Sequence, residues 1–125
     1  MIKVFISSAY SADNENDILQ NVLNQKMIAE ELYSYGFLPF TPLLNHYHDQ
    51  DFPHDYEFWL DVDKYWLEVC DCVYRDNSES DGADREVDHA SSKNIPVFKS
   101  MRDLLWFYGK IDDDEFFDER NKNNG

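Results

Sequence analysis

The chain opens on an apolar, β-branched run. Ile2 to Ser7 predicts a strand, bounded by the polar stretch Ser7-Ser8-Ala9-Tyr10-Ser11. From about Asn14 the period changes. Ile18, Leu19, Val22, Leu23, Ile28, Ala29 and Leu32 give a helical stripe, and Gly36 stands where a helix C-cap prefers glycine. Phe37 to Thr41 reads as a second strand, stopped by Pro42. Residues 43–55 are polar and rich in His, and are expected to form a loop. Helical spacing returns from Tyr56 to Glu68 through Trp59, Leu60, Tyr65, Trp66 and Leu67. Cys70 to Tyr74 predicts a third strand, and Ser78 to Ala83 a polar turn containing Gly82. A short helix is expected from near Asp84, where an acidic residue suits the helix dipole, to near Lys93. Ile95 to Phe98 is a fourth short strand and Met101 to Tyr108 a closing helix.

This βαβα rhythm predicts one α/β domain, a doubly wound parallel sheet of flavodoxin or Rossmann-like type with helices on both faces. The domain is expected to occupy residues 1–110. Residues 111–125 carry Asp112, Asp113, Asp114, Glu115, Asp118 and Glu119 and are read as an acidic, frayed tail. Phe116 and Phe117 offer a second reading, in which the tail folds back or packs on a partner subunit.

Composition narrows the classes of function. Of 125 residues, 42% are hydrophobic and 16% aromatic, enough for a real core. The net charge of −15 argues against nucleic acid as a partner, because phosphate backbones need neutralising Lys and Arg. It argues equally against an anionic membrane surface. A small anion remains admissible where local donors oppose the global field. Cys70 and Cys72 are not spaced as a redox or zinc pair and read as two buried, reduced thiols sharing a strand face. A reducing compartment, the cytosol, is therefore expected.

In an open parallel sheet, ligands bind beyond the carboxyl ends of the strands. Three polar stretches end there: 7–11, 41–54 and 76–86. The free N–H groups of the helix starting near Asn14 are expected to face the same crevice, with hydroxyls from Ser7, Ser8 and Ser11. Any one of these serines also reads as a simple helix cap. In Ser80-Asp81-Gly82-Ala83-Asp84-Arg85-Glu86 the glycine allows a sharp turn and puts Glu86 in a helix first turn, where its carboxylate is expected to stay ionised. By pattern alone such a glutamate is a dipole partner. His46, His48, Asp49, Asp51 and His54 contain metal-ligand types but lack the i, i+4 pairing of hydrolytic metal helices. Histidines lining a pocket are the preferred reading, and neither metal nor cofactor is expected. Trp59 and Trp66, seven apart, read as a core or interface stripe first and a stacking platform second.

Three stretches together resemble the nucleoside 2-deoxyribosyltransferase superfamily, which includes the 2′-deoxynucleoside 5′-phosphate N-hydrolases. They are Val4 to Ser11, similar to the opening strand and nucleoside-binding loop; Asp63 to Val73, similar to an aspartate leading a Trp-Leu helix into a strand; and Ser80 to Ala90, similar to the glycine turn and catalytic glutamate. Pro53 to Leu60 and Gly82 to Val87 further resemble small phage and bacterial relatives.

The resemblance implies cleavage or transfer of the N-glycosidic bond of a nucleoside or nucleoside 5′-monophosphate. It makes Glu86 the nucleophile at C1′, Asp63 the group assisting base departure, and Tyr10 the residue holding Glu86 in line. Ser80 would bind the 5′ end, and a phosphate there is the preferred expectation, shared with Ser7, Ser8 and Ser11. Arg85 is not a general feature of the family; beside the glutamate it would reach that phosphate or pair with Asp81 or Asp88. The family's usual Gly-Pro or Gly-Ser after the first strand is Ser8-Ala9 here. A homo-oligomer is also implied, with the Trp59/Trp66 helix as interface. Two rival classes are a non-catalytic nucleotide sensor on the same fold and an acidic adaptor acting through its tail.

Overall fold

A computed structural model describes residues 1–117 and places strand β1 (Lys3–Ser7) in the interior of the sheet. β1 pairs in parallel with β2 (Leu38–Phe40) through Val4↔Pro39 and with β3 (Cys72–Arg75) through Val4↔Cys72. β4 (Val97–Phe98) lies beside β3, so the order is β2-β1-β3-β4. That is the flavodoxin-like order of a doubly wound sheet, and the expected fold class is the one the chain adopts.

The apolar run of β1 explains this placement. Successive side chains point to opposite faces, and Val4, Phe5 and Ile6 are all fully buried. Val4 and Ile6 meet Leu32 of α1 (Glu15–Ser34), Cys72, and Leu104 of α5 (Met101–Phe107). Phe5 meets Val73, Leu67 of α3 (Tyr56–Glu68) and Ala90, which belongs to the α4 helix (Asp81–Ser92). Each face of the sheet thus has its own core, which is why a central parallel strand is apolar at every position. Burying one such large side chain contributes about 1.5–3 kcal/mol. Pro39 fits because β2 is an edge strand, where no further neighbour requires its missing N–H. Asn14 caps α1 by accepting from the Asp17 N–H at 2.9 Å, and Gly36 leaves the helix at φ 84°.

Four expectations change. Residues 43–55 are not a loop: a 3-10 turn at Pro42–Leu44 runs into α2 (Asn45–Asp51). Only His46 of α2 is buried, so the helix carries no apolar stripe to betray it. Helix α4 starts at Asp81, three residues before the expected Asp84, because the Ser80 hydroxyl accepts from the Ala83 N–H at 3.1 Å. Glu86 accordingly sits in the second turn. Cys70 precedes β3, so the two thiols do not share a face. Cys72 lies in the core under α1, whereas Cys70 packs against the opposite core and donates its S–H to the Trp66 carbonyl at 3.4 Å. Both are free, and burial pushes the Cys70 thiol up to about 11 and that of Cys72 up to about 12.

Of the expected tail, Ile111 packs against the core and Phe116 is buried, its ring 5.1 Å from that of Trp106. Trp106 Nε1 donates to Asp113 at 2.7 Å, tying this segment to α5. The tail residues 118–125 lie outside the described residues. Among the described residues no helix is long and apolar enough to cross a membrane.

Candidate active site

A cleft of about 710 Å³ opens at the carboxyl ends of the strands. Pockets of about 300–1,000 Å³ are the usual size for small-molecule sites. Its walls come from the segment after β1 (Ser8, Tyr10, Ser11), from the 42–55 connection (His46, Asp49, His54), from α3 (Tyr56, Trp59, Asp63) and from the start of α4.

Glu86 and Asp63 both line this cleft, and each carboxyl group acts on the pKa of the other. Glu86 is only 5% exposed. Burial lifts its pKa well above the ordinary glutamate value; the Asp63 charge and hydrogen bond add to this, while Ser7 and Arg75 oppose it. Burial also lifts Asp63, to about 6, with the Glu86 hydrogen bond acting in the opposite sense. The expectation of a permanently ionised Glu86 is thereby corrected. In the second turn the helix dipole has faded, and burial beside another carboxylate decides instead. Near neutral pH the two groups act as one unit sharing a proton.

The side chain that holds Glu86 is Ser7. Its hydroxyl lies 2.9 Å from Glu86 Oε1 and 3.2 Å from the Ala83 carbonyl. With one proton to give, it donates to Oε1 when Glu86 is ionised; when Glu86 is protonated it can accept from the acid and donate to Ala83. Tyr10, expected in this role, bonds instead to His46 Nδ1 at 2.6 Å. His46 is buried at the cleft wall, its Nε2 lying 3.4 Å from Glu15 Oε1 without a hydrogen bond.

The expected anion seat is differently built. No residue of α1 lines the cleft, and its first turn carries Glu15 and Asp17. Ser7 serves Glu86, Ser8 accepts from Gln25 Nε2 at 2.8 Å, and Ser80 caps α4. Ser8, Ser11 and Ser80 do line the cleft. Gly82 lies in α4 rather than in a turn, and its value is room: a Cβ there would stand 2.8 Å from the Tyr56 hydroxyl. Arg85 is not among the residues lining the cleft: it bonds both oxygens of Glu57, at 2.8 and 3.1 Å, not Asp81 or Asp88, and lies over the Tyr56 ring, 5.9 Å from its centre.

The histidine-rich stretch divides into parts. Asp49 Oδ1 accepts from Trp59 Nε1 at 2.6 Å and from the His54 N–H at 2.8 Å, and these bonds hold its pKa below the usual aspartate value. His54 stacks on Phe58 with ring centres 3.9 Å apart. Among the described residues, no His, Cys, Asp and Glu side chains gather in a group able to hold a metal ion. Trp59 is half-buried on the cleft wall, while Trp66 stacks on Phe40 at 5.4 Å and stays half exposed.

Two supporting residues escaped the sequence reading. Gln25 is fully buried, donates to the Ile6 carbonyl and Ser8 hydroxyl, and accepts from the Leu43 N–H, joining both cleft walls. Its signal was a polar residue on the buried stripe of Val22, Ala29 and Leu32. Arg75, buried at the end of β3, binds Asp76, the Ser78 carbonyl and Asp84, shaping the segment before α4. A cation ending an apolar strand was the readable sign.

Among solved structures, the fold is similar to a 2-deoxyribosyltransferase from the psychrotolerant bacterium Bacillus psychrosaccharolyticus, with a TM-score of 0.53 and 15% identity. The likeness covers 76% of this chain and 69% of that one, and at this identity it is a likeness of fold. No curated protein matches the chain. The model of a domain of unknown function, DUF7768, matches residues 2–100, and the chain belongs to that family.

Proposed function

We propose that this protein cleaves or transfers the N-glycosidic bond of a nucleoside or nucleotide, with Glu86 as nucleophile and Asp63 as its proton partner. The observation that carries this reading is the buried carboxyl pair at the cleft, oriented by Ser7, on a fold shared with a 2-deoxyribosyltransferase. An oxocarbenium-like transition state facing a fixed carboxylate is the chemistry of retaining glycosidases.

In the reactive form Glu86 is ionised and the shared proton rests on Asp63. A Glu86 oxygen bonds C1′ as the C1′–N bond breaks, and that electron pair goes to the base nitrogen, which takes the proton from Asp63. In the second half, water or a second base attacks C1′, the ester electrons return to Glu86, and Asp63 accepts the proton. Ser7 fixes Oε1 throughout, and the Tyr10–His46 pair shapes the wall on the base side.

The test incubates the protein with a panel of nucleosides and monophosphates and follows free base. Glu86→Gln should lower release by about 10³-fold or more while the fold survives, as for members of a covalent catalytic unit. Mass spectrometry of acid-quenched protein should find the sugar on the wild type alone. A Gln variant turning over at the wild-type rate would sink the assignment.

A further inference from the structure

We propose that the cleft selects nucleosides whose base carries a fixed positive charge, as in N-alkylated purine or N-glycosyl pyridinium nucleosides, and rejects 5′-phosphorylated ones. The inference rests on the N-glycosidase reading and assigns its substrate class. Five carboxyl side chains line the cleft, Asp49, Asp63, Glu79, Asp81 and Glu86, and no Lys or Arg is among its lining residues. The two nearby guanidinium groups are already matched: Arg75 to Asp76 and Asp84, Arg85 to Glu57. A cleft lined by one sign of charge raises the local concentration of oppositely charged ligands by about 10–10³ and depletes its own sign. A phosphate dianion would find no Lys or Arg side chain on these walls to pair with.

The walls also suit a flat cation. Trp59, the aromatic ring best able to hold a positive charge, stands in the cleft with Tyr56 and His54. Its indole N–H is anchored to Asp49, which keeps the ring in place. Both hydrogen bonds to Asp49 fall on Oδ1, so Oδ2 remains for a ligand. Carboxylate and ring together form a site for a delocalised positive charge on a heterocycle.

The chemistry becomes simpler with such a substrate. A cationic base leaves as a neutral molecule when it takes the C1′–N electron pair, so no proton need reach it. Glu86 turns from anion to neutral ester in the same step, and charge balances. The arriving cation also favours ionisation of the Glu86–Asp63 pair, opposing the burial that holds its proton. Water then hydrolyses the ester, and Asp63 takes the proton.

Calorimetric titration of the whole protein with guanosine, 7-methylguanosine, guanosine 5′-monophosphate, N-ribosylnicotinamide and its 5′-monophosphate, each as ribo and 2′-deoxyribo forms, tests the assignment. The methylated nucleoside should bind about tenfold more tightly than guanosine at low ionic strength, and the advantage should shrink with added salt. Both monophosphates should bind most weakly of their series, and Asp49→Asn, or the exposed Glu79→Gln, should narrow the preference. Guanosine binding as well as its methylated form, or a monophosphate matching its nucleoside, overturns the proposal. If neutral nucleosides are then cleaved in a Glu86-dependent way, the N-glycosidase reading stands alone. If nothing binds and no base is released, both fall.

Discussion

Replacing Asp63 by Asn should stabilise the protein at neutral and alkaline pH while damaging its chemistry. In the folded state Asp63 titrates at about 6 rather than near 3.8, because it is largely buried; its contact with Glu86 acts in the opposite sense. A carboxyl whose folded pKa is raised contributes stability that is complete below its unfolded value and is lost as pH climbs through its folded value. One pKa step is worth about 1.36 kcal/mol, so the cost above pH 6 is about 3 kcal/mol. Asn keeps the shape and can donate a hydrogen bond to Glu86 without the charge. Some of the gain is offset by imperfect amide geometry, leaving an expected increase of about 1–3 kcal/mol at pH 8. For a domain of this size that is a rise in Tm of roughly 3–12 °C. Urea unfolding at intervals from pH 4 to pH 8 would measure it, and the two proteins should converge towards pH 4. A variant no more stable than wild type at pH 8, or one whose advantage grows towards acid, would refute the account of an Asp63 carboxyl group lifted by burial.

Three further outcomes are expected. Ser7→Ala removes the hydroxyl that favours ionised Glu86, so the acidic limb of the pH–rate profile should move to higher pH and kcat should fall about 10–100-fold. Gly82→Ala should leave stability within about 1 kcal/mol, since alanine favours the helix, yet raise KM by displacing the Tyr56 hydroxyl 2.8 Å away; Tyr56→Phe in the same chain should relieve most of that defect. Self-association through the exposed Tyr65 and Trp66 of α3 and Val69 at its C-cap should appear in light scattering as a mass above 14.9 kDa and be lost on Trp66→Glu; a wild-type monomer at working concentration removes the idea.

The elements that bury two faces were legible in the sequence. β1 is apolar without interruption from Val4 to Ile6, and α3 announces itself through the apolar spacing of Trp59, Leu60, Tyr65, Trp66 and Leu67. Helix α2 was invisible because one buried histidine in seven residues makes no period. The start of α4 was misread because Gly82 resembles a turn residue, whereas its lack of a side chain serves Tyr56. At the site, Glu86 and Asp63 could each be singled out, but not their mutual contact. Local reasoning assigned Glu86 a helix dipole and an ionised state; a carboxyl group 23 positions away on another helix reverses that. Arg85 misled in the same manner, having local carboxylates in sequence and its actual partner, Glu57, in space.

The cleft divides its labour between two kinds of backbone. Ser7, Asp63 and Glu86 stand on a strand end and two helices packed into the cores, while Asn45, Asp49 and His54 belong to the connection between β2 and α3. Change can therefore accumulate in that connection without moving the carboxyl pair, as drift in an antibody's loops leaves its framework alone. A lineage carrying this fold can replace what it recognises while inheriting how it reacts. Randomising Asn45 and His54 should yield proteins that keep their melting temperature and differ in ligand, a ready starting point for directed evolution.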